Sequence, residues 1–229
     1  DLTGKVVAVT GTTSGTGYHY ALAAARKGAT VVVLNRASDR ANTSTEALRN
    51  LLSSGAGGKS AGSLDDSITC DLMSFKSVRE AAAALRAKYP GGIHVLCCNA
   101  GIMAFADEAT EDGYDCQMQT NHLSHFLLVA LTFDLLETGA DGSGQPSRII
   151  GHSSIARHNT KLEERYFGKN GGSLGGNGAS MVCQGARWYR YSQTKLANAV
   201  FINALHQRLQ VLGKTSKVMA VCAAPGLAK

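Results

Sequence analysis

Lys5-Val6-Val7-Ala8-Val9-Thr10-Gly11-Thr12-Thr13-Ser14-Gly15-Thr16-Gly17 runs from a short β-branched stretch through a glycine-rich turn into the start of a helical pattern. Three glycines between a strand and a helix let the backbone turn sharply and approach a pyrophosphate. The helix N-terminus behind them offers free N–H groups and the positive end of a dipole. The spacing is G-x-x-x-G-x-G rather than the commoner G-x-G-x-x-G. Alone, such a turn is weak evidence, because many glycine-rich turns are only turns. Placed between strand and helix, it reads as a dinucleotide-binding loop made by Thr10, Gly11, Thr13, Ser14, Gly15, Thr16 and Gly17.

Outward from this loop, strand and helix patterns alternate. Residues 5–10, 30–35, 67–70, 93–98, 148–152 and 217–222 read as strands. Residues 16–28, 40–54, 74–89 and 188–212 read as helices, and residues 112–137 contain a long one. Ser74 is the expected N-cap of its helix, and Pro90-Gly91 the stop. The apolar, non-alternating strands fit a parallel sheet covered on both faces, hence an α/β fold. A glycine/serine segment, residues 55–62, reads as a flexible loop, and the glycine-dense residues 168–178 read as a mobile surface insertion. No boundary divides the chain, so residues 1–229 form one domain.

Composition narrows the function classes. The 229 residues are 44% apolar and only 17% charged, with 3 prolines, which excludes a disordered chain and permits a sizeable core. The net charge of +6 is scattered, without zinc-finger spacing or an aromatic RNA-binding signature, so nucleic acid is not an expected partner. The wholly apolar runs are short against the roughly 20 residues of a membrane span, so a transmembrane reading is not expected. No signal peptide is visible, and a sequence opening at Asp1 leaves a removed leader open. Cys70, Cys97, Cys98, Cys116, Cys183 and Cys222 form no C-x-x-C pair and read as reduced thiols of a reducing intracellular compartment such as cytoplasm or plastid. His122 and His125 stand three apart on a helix with no further ligands nearby, so no metal is expected.

The second strand ends in Asn35-Arg36, where a ribose-reading carboxylate would otherwise stand. A carboxylate repels a 2′-phosphate, and a guanidinium pairs with one, which favours NADP(H) over NAD(H); a solvated loop arginine is the plainer alternative. Asp71 follows the third strand and either meets the adenine amino group or caps the next helix.

Tyr191-Ser192-Gln193-Thr194-Lys195 puts a phenol and an ammonium four residues apart, on one helix face. A nearby cation lowers a tyrosine pKa from about 10 towards working pH, and such a tyrosine can exchange a proton with a carbonyl oxygen. Asn99-Ala100-Gly101, Asn121, Ser153-Ser154 and Pro225-Gly226 fall at strand C-termini or on adjoining helices, where open α/β sheets bind ligands.

With these motifs in this order from residue 3 to residue 226, the chain resembles the short-chain dehydrogenase/reductase family. Residues 121–128 (NHLSHFLL) and 191–198 (YSQTKLAN) look most like its retinol-dehydrogenase-like branch, which is similar to the light-dependent protochlorophyllide reductases and the WW-domain oxidoreductases. The resemblance implies a Rossmann-type doubly wound sheet of order 3-2-1-4-5-6 in three αβα layers. It implies Tyr191 as general acid/base, Lys195 lowering its pKa and binding the nicotinamide ribose, and Ser154, with Ser153 as the alternative, bonding the substrate oxygen. It implies Asn121 holding a water in a proton relay to Lys195, and Asn99, Ala100, Gly101, Pro225 and Gly226 beside the cofactor. The implied reaction is hydride transfer between NADP(H) and a carbonyl or alcohol of an apolar substrate such as a retinal-like aldehyde, a steroid or a lipid. A non-catalytic subunit that binds NADPH structurally within a larger complex is the alternative. Membrane-surface association and self-association through the helices of residues 112–137 and 188–212 are the other partner classes it leaves open. Three features depart from the family pattern: 37 residues separate Ser154 from Tyr191, Cys98 precedes Asn99, and the sequence ends at Lys229 before the expected last strand and substrate-covering helix pair.

Overall fold

In the computed structural model, which describes residues 1–54, 62–178, 184–214 and 217–226, strands and helices alternate as the periodicity predicts. They are β1 (Val6–Thr10), α1 (Gly15–Arg26), β2 (Thr30–Leu34), α2 (Asp39–Ser53), β3 (Ser63–Asp65), α3 (Phe75–Lys88) and β4 (Val95–Cys98). Then come α4 (Cys116–Met118), a π-helical turn (Gln119–Leu123), α5 (Ser124–Ser143), β5 (Ser147–His152), α6 (Gly185–Val211) and β6 (Val218–Ala223). All six strands are parallel, in the order β3-β2-β1-β4-β5-β6.

The strands read as unbroken apolar runs because successive side chains enter two different cores. Val7, Val9, Val31 and Val33 pack with Ala21, Ala25 and Leu48 from α1 and α2. Ala8, Val32, Leu34 and Leu96 pack with Val78, Leu85, Leu128 and Leu136 from α3 and α5. The strand order reverses direction between β1 and β4, and a crevice opens at the C-terminal ends of those two strands, as it does in doubly wound sheets generally.

The sheet edge differs from expectation. The third strand is Ser63–Asp65, not residues 67–70, and Thr69 contributes only a single bridge to Asn35. Ile68 and Cys70 are apolar and buried, which gave them a strand's signature. What ends the ladder is Asp65, whose carboxylate takes the Tyr89 hydroxyl at 2.5 Å, the Lys88 ammonium at 2.8 Å and the Ser67 N–H at 3.1 Å. The expected glycine/serine loop lies almost wholly outside the described residues, as does Cys183. Cys70, Cys97, Cys98 and Cys116 are buried free thiols, and Cys222 is an exposed one.

The long helix is also longer than its periodicity suggested. The run Cys116–Ser143, 28 residues, is long and apolar enough by length and composition to cross a membrane, although half of its most apolar window is buried inside the fold. It packs on α3, β4 and β5, which accounts for its apolarity as that of a core helix.

Residues 168–178, read as a mobile surface insertion, are mostly exposed but anchored at several points. Leu174 is buried against Met118 and Tyr166. The Asp107 carboxylate accepts the Leu174 and Gly176 N–H groups at 2.8 and 2.6 Å, while Arg190 Nη1 donates to the carbonyls of the same two residues at 3.1 and 3.0 Å. Arg190 is fully buried, 3.6 Å from Asp107 and 3.5 Å from Asp115, and its other terminal nitrogen reaches Phe105 O at 3.2 Å. One guanidinium thus ties the glycine-rich strap and residue 105 to α6. Removing one partner of a buried ion pair leaves the other desolvated and uncompensated. Arg190→Met is expected to lower stability by about 3–5 kcal/mol in urea unfolding; a loss under about 1 kcal/mol would show that the cluster does not hold the strap.

Candidate active site

The site begins at a joint between β1 and β4. Thr10 is wholly buried. Its hydroxyl accepts the N–H groups of Asn99 and Ala100, both at 3.0 Å, and faces His125 Nε2 at 2.8 Å. His125 Nδ1 lies 3.0 Å from the Asn121 carbonyl, which only accepts, so Nδ1 carries the ring proton and Nε2 receives the Thr10 hydroxyl. Burial pushes His125 down to a pKa of about 4 and keeps it neutral. Asn99 Nδ2 completes the joint by donating to Thr10 O at 3.0 Å and Gly11 O at 2.9 Å.

That joint aims the glycine loop. Gly11 has φ +70°, and a Cβ there would fall 2.7 Å from Ala100 Cβ. A Cβ on Gly17 would fall 2.2 Å from Gly11 O and 2.3 Å from Asn99 Nδ2, so only glycine lets α1 approach the loop this closely. Gly15, with φ +57°, opens α1. The first turn of α1 carries no acidic side chain, and its N-cap Ser14 makes no side-chain bond to the helix. The bare helix end suits an anion, and the space a Cβ would fill suits a close backbone approach. The residues therefore fit the pyrophosphate of a dinucleotide.

A cleft of about 540 Å³ opens over this cradle. It is lined by Gly11, Thr13, Ser14, Thr16 and Gly17, by Asn35, Arg36 and Asp71, and by Asn99, Ala100 and Gly101. Asn35 does not offer its amide to the cleft. Its Oδ1 accepts the Thr12 N–H at 2.9 Å and its Nδ2 donates to the Thr12 hydroxyl at 2.8 Å, so it braces the loop. Arg36 is exposed on the cleft rim. Asp71 turns one carboxylate oxygen to the Met73 N–H at 2.9 Å, while Ser74 caps α3, so capping and lining fall to different residues.

The catalytic candidates stand around α6. Lys195 is 4% exposed, and its ammonium donates to His152 O at 3.2 Å and lies 5.6 Å from the centre of the Tyr191 ring. Burial pushes its pKa down to about 8. The Ser153 hydroxyl is committed to Lys195 O at 2.7 Å, whereas the Ser154 hydroxyl, half-buried, accepts the Ala156 N–H at 3.3 Å and donates to none of the described residues. Asn121 sits in the π-helical turn, a distortion often found at functional sites. Its amide is used by protein groups: Oδ1 accepts the Ile102 N–H at 2.8 Å, and Nδ2 donates to Ile102 O at 2.9 Å and the Thr194 hydroxyl at 3.0 Å. Its main-chain carbonyl faces His125 Nδ1 at 3.0 Å.

The structure thus brings the loop residues other than Thr10 and Gly15, with Asn35, Arg36, Asp71 and residues 99–101, to one cleft. It leaves Thr10, Asn121, Ser154, Tyr191 and Lys195 off that lining, and Pro225 and Gly226 exposed after β6. Four contributors escaped the sequence reading. Arg40 lines the cleft and donates to Ser14 Oγ at 2.7 Å; its position four residues after Arg36 was the available signal. Arg190, a charge inside an otherwise buried helix face beside Tyr191, was another. His152 and the apolar loop around Ile102 and Phe105 gave no signal, since nothing local tells which strand-end or loop residue faces a cleft.

Comparison with known proteins agrees with this geometry. Residues 5–164 match the family model described as short chain dehydrogenase. The WW domain-containing oxidoreductase of Homo sapiens is 35% identical over 223 residues, covering 96% of this chain and 49% of that protein. Retinol dehydrogenase 13 of Homo sapiens is 31% identical over 226 residues, covering 99% of this chain and 60% of that protein. The chain thus spans about half to three fifths of these relatives' lengths. A solved structure of an uncharacterized protein from Mycobacterium Paratuberculosis superposes with a TM-score of 0.74 at 30% identity, covering 99% of this chain and 69% of that one. With the doubly wound sheet, the glycine cradle and the Tyr191/Lys195 pair already in place, the match over residues 5–164 settles the lineage: the chain belongs to the short-chain dehydrogenase family of oxidoreductases, with retinol dehydrogenase 13 among the proteins it is similar to.

Proposed function

We propose that this domain binds NADP(H) and transfers a hydride between it and the carbonyl or alcohol carbon of an apolar substrate of the retinal, steroid or lipid kind. The observation that carries the proposal is a desolvated ammonium, Lys195, set beside the Tyr191 phenol one helical turn away and next to the cleft. When bound, the nicotinamide supplies or accepts the hydride. The protein's part is position and the proton. Tyr191 gives its phenolic proton to the substrate oxygen in reduction, or takes one in oxidation. Lys195 favours the phenolate and so brings the tyrosine pKa towards neutrality. Ser154 donates its hydroxyl proton to the same substrate oxygen, the role for which Ser153 is not free. The N-terminus of α1 holds the pyrophosphate.

The preference for the 2′-phosphate rests on Arg36, with Arg40 beside it on the same rim. No carboxylate stands at the end of β2 to repel that group. The preference for an apolar substrate is supported by Met103, Phe105 and Ile155, which are 58%, 41% and 65% exposed. Phe105 lines the cleft and Ile155 directly follows Ser154. Ala104, between Met103 and Phe105, holds φ +51°, an unfavourable conformation for a residue with a Cβ and of the kind that gathers at binding walls.

Arg36→Ala is expected to raise the Kd for NADPH about tenfold or more, from the loss of a charge-assisted contact, while NADH binding stays nearly unchanged. Fluorescence titration reads both, and equal weakening would contradict the 2′-phosphate assignment. In NADPH oxidation against a panel of aldehydes and ketones, Tyr191→Phe is expected to cost about 10²–10⁴-fold in kcat with NADPH affinity retained. Turnover undiminished in Tyr191→Phe would overturn the acid/base role.

A further inference from the structure

His152, the last residue of β5, lines the cleft beside Asn99 and Gly11. Its ring Nδ1 lies 3.0 Å from Asn99 Oδ1. The neighbours of Asn99 decide which ring nitrogen carries the proton. Asn99 Nδ2 is 3.0 and 2.9 Å from two main-chain carbonyls, of Thr10 and Gly11. Carbonyls only accept, so the amide NH₂ must face them and Oδ1 must face the imidazole. That oxygen only accepts in turn, so His152 Nδ1 is the protonated nitrogen. Burial and the Lys195 ammonium on α6 hold the imidazole pKa below its ordinary value, and the ring is neutral. The other titratable ring facing it, His125 on α5, is neutral as well.

A neutral ring protonated at Nδ1 carries a bare lone pair on Nε2. That nitrogen has no hydrogen bond to a described residue, and it is absent from the polar atoms sealed away from solvent without a partner. The Lys195 ammonium donates instead to the His152 main-chain carbonyl, which also accepts Asn198 Nδ2 at 3.0 Å, and makes no bond to Nε2 among the described residues. The cleft wall therefore presents a fixed neutral acceptor. Such an atom repels phosphate oxygens and selects an O–H or N–H donor.

We propose that His152 is a dinucleotide-binding residue whose Nε2 accepts a hydrogen bond from a hydroxyl or amide N–H of the bound cofactor, with Asn99 fixing the tautomer. The inference rests on the dinucleotide reading above and adds a residue to it. Long-range ¹H–¹⁵N spectra of protein labelled with ¹⁵N-histidine test it without turnover. The free protein should show His152 with a proton on Nδ1 and none on Nε2, and saturating NADPH should move the Nε2 resonance upfield, as accepting a hydrogen bond does. His152→Asn keeps an N–H donor for Asn99 but draws its acceptor, Oδ1, back towards the backbone and short of the position of Nε2, so NADPH should bind about five- to tenfold more weakly. His152→Gln restores an amide oxygen within reach of the cleft, and should bind within about twofold of the native protein. A proton on Nε2, an unmoved resonance in a native protein that binds NADPH, or native affinity in His152→Asn would overturn the inference alone. A native protein that does not bind NADPH would overturn the dinucleotide reading and this inference with it.

Discussion

The hydroxyl of Thr10 holds β1 and β4 together at the point where the sheet reverses its winding. It receives two N–H groups from the turn after β4 and gives its proton to a buried neutral histidine on α5. Two strands and a helix from three different parts of the sequence meet at this one oxygen. The rest of the site is built outward from it. Asn99 is set by its own N–H on Thr10, so its amide can clamp Gly11 on one side and orient His152 on the other. The glycine loop then has room for α1 only because Gly17 has no side chain to strike Gly11 O and Asn99.

A second wiring runs along α6, whose buried residues between 190 and 198 are mostly polar. Arg190, Ser192, Gln193, Thr194, Lys195 and Asn198 are all buried on it. Gln193 fixes the loop after Ser154 through Thr160, Lys161 and Glu163. Thr194 meets Asn121 at 3.0 Å, and Asn198 faces His122 at 3.0 Å. Buried polar groups cost free energy unless they are paired, and these pairings tie α6 to residues 160–163 and to the π-helical turn that carries Asn121. α6 thus carries Tyr191 and Lys195 and at the same time determines the walls around them. The glycine-rich strap belongs to this wiring through Arg190, which explains how so flexible a sequence is held in one place.

Much of this was legible in the sequence where the signal was periodic or local. The two-faced burial of β1, β2 and β4 follows from their apolar runs, and the helix ends at Ser74 and Tyr89 follow from cap and stop residues. The cradle followed from three glycines between a strand and a helix. Long-range pairing was not legible. Ile68 and Cys70 looked like a strand because they are apolar and buried, yet a carboxylate at Asp65 and its three donors end the edge ladder earlier. Asn35 looked like a ribose-facing residue by position, but its amide is spent on Thr12, 23 residues back in the chain. Residues 168–178 read as a surface insertion, and their anchors, Asp107 and Arg190, were not legible because glycine carries no packing signal and both residues lie outside the segment.

The central claim is that the crevice over the Thr10–Asn99 joint is a dinucleotide site served by Tyr191 and Lys195. Amide hydrogen exchange with and without saturating NADPH tests it most directly. The account predicts slowed exchange concentrated in residues 11–17 and 99–102 and at the start of α6, with the far ends of α2 and α3 unchanged. Unaltered exchange in residues 11–17 and 99–102 at a saturating NADPH concentration, or protection confined to another face of the sheet, would contradict it.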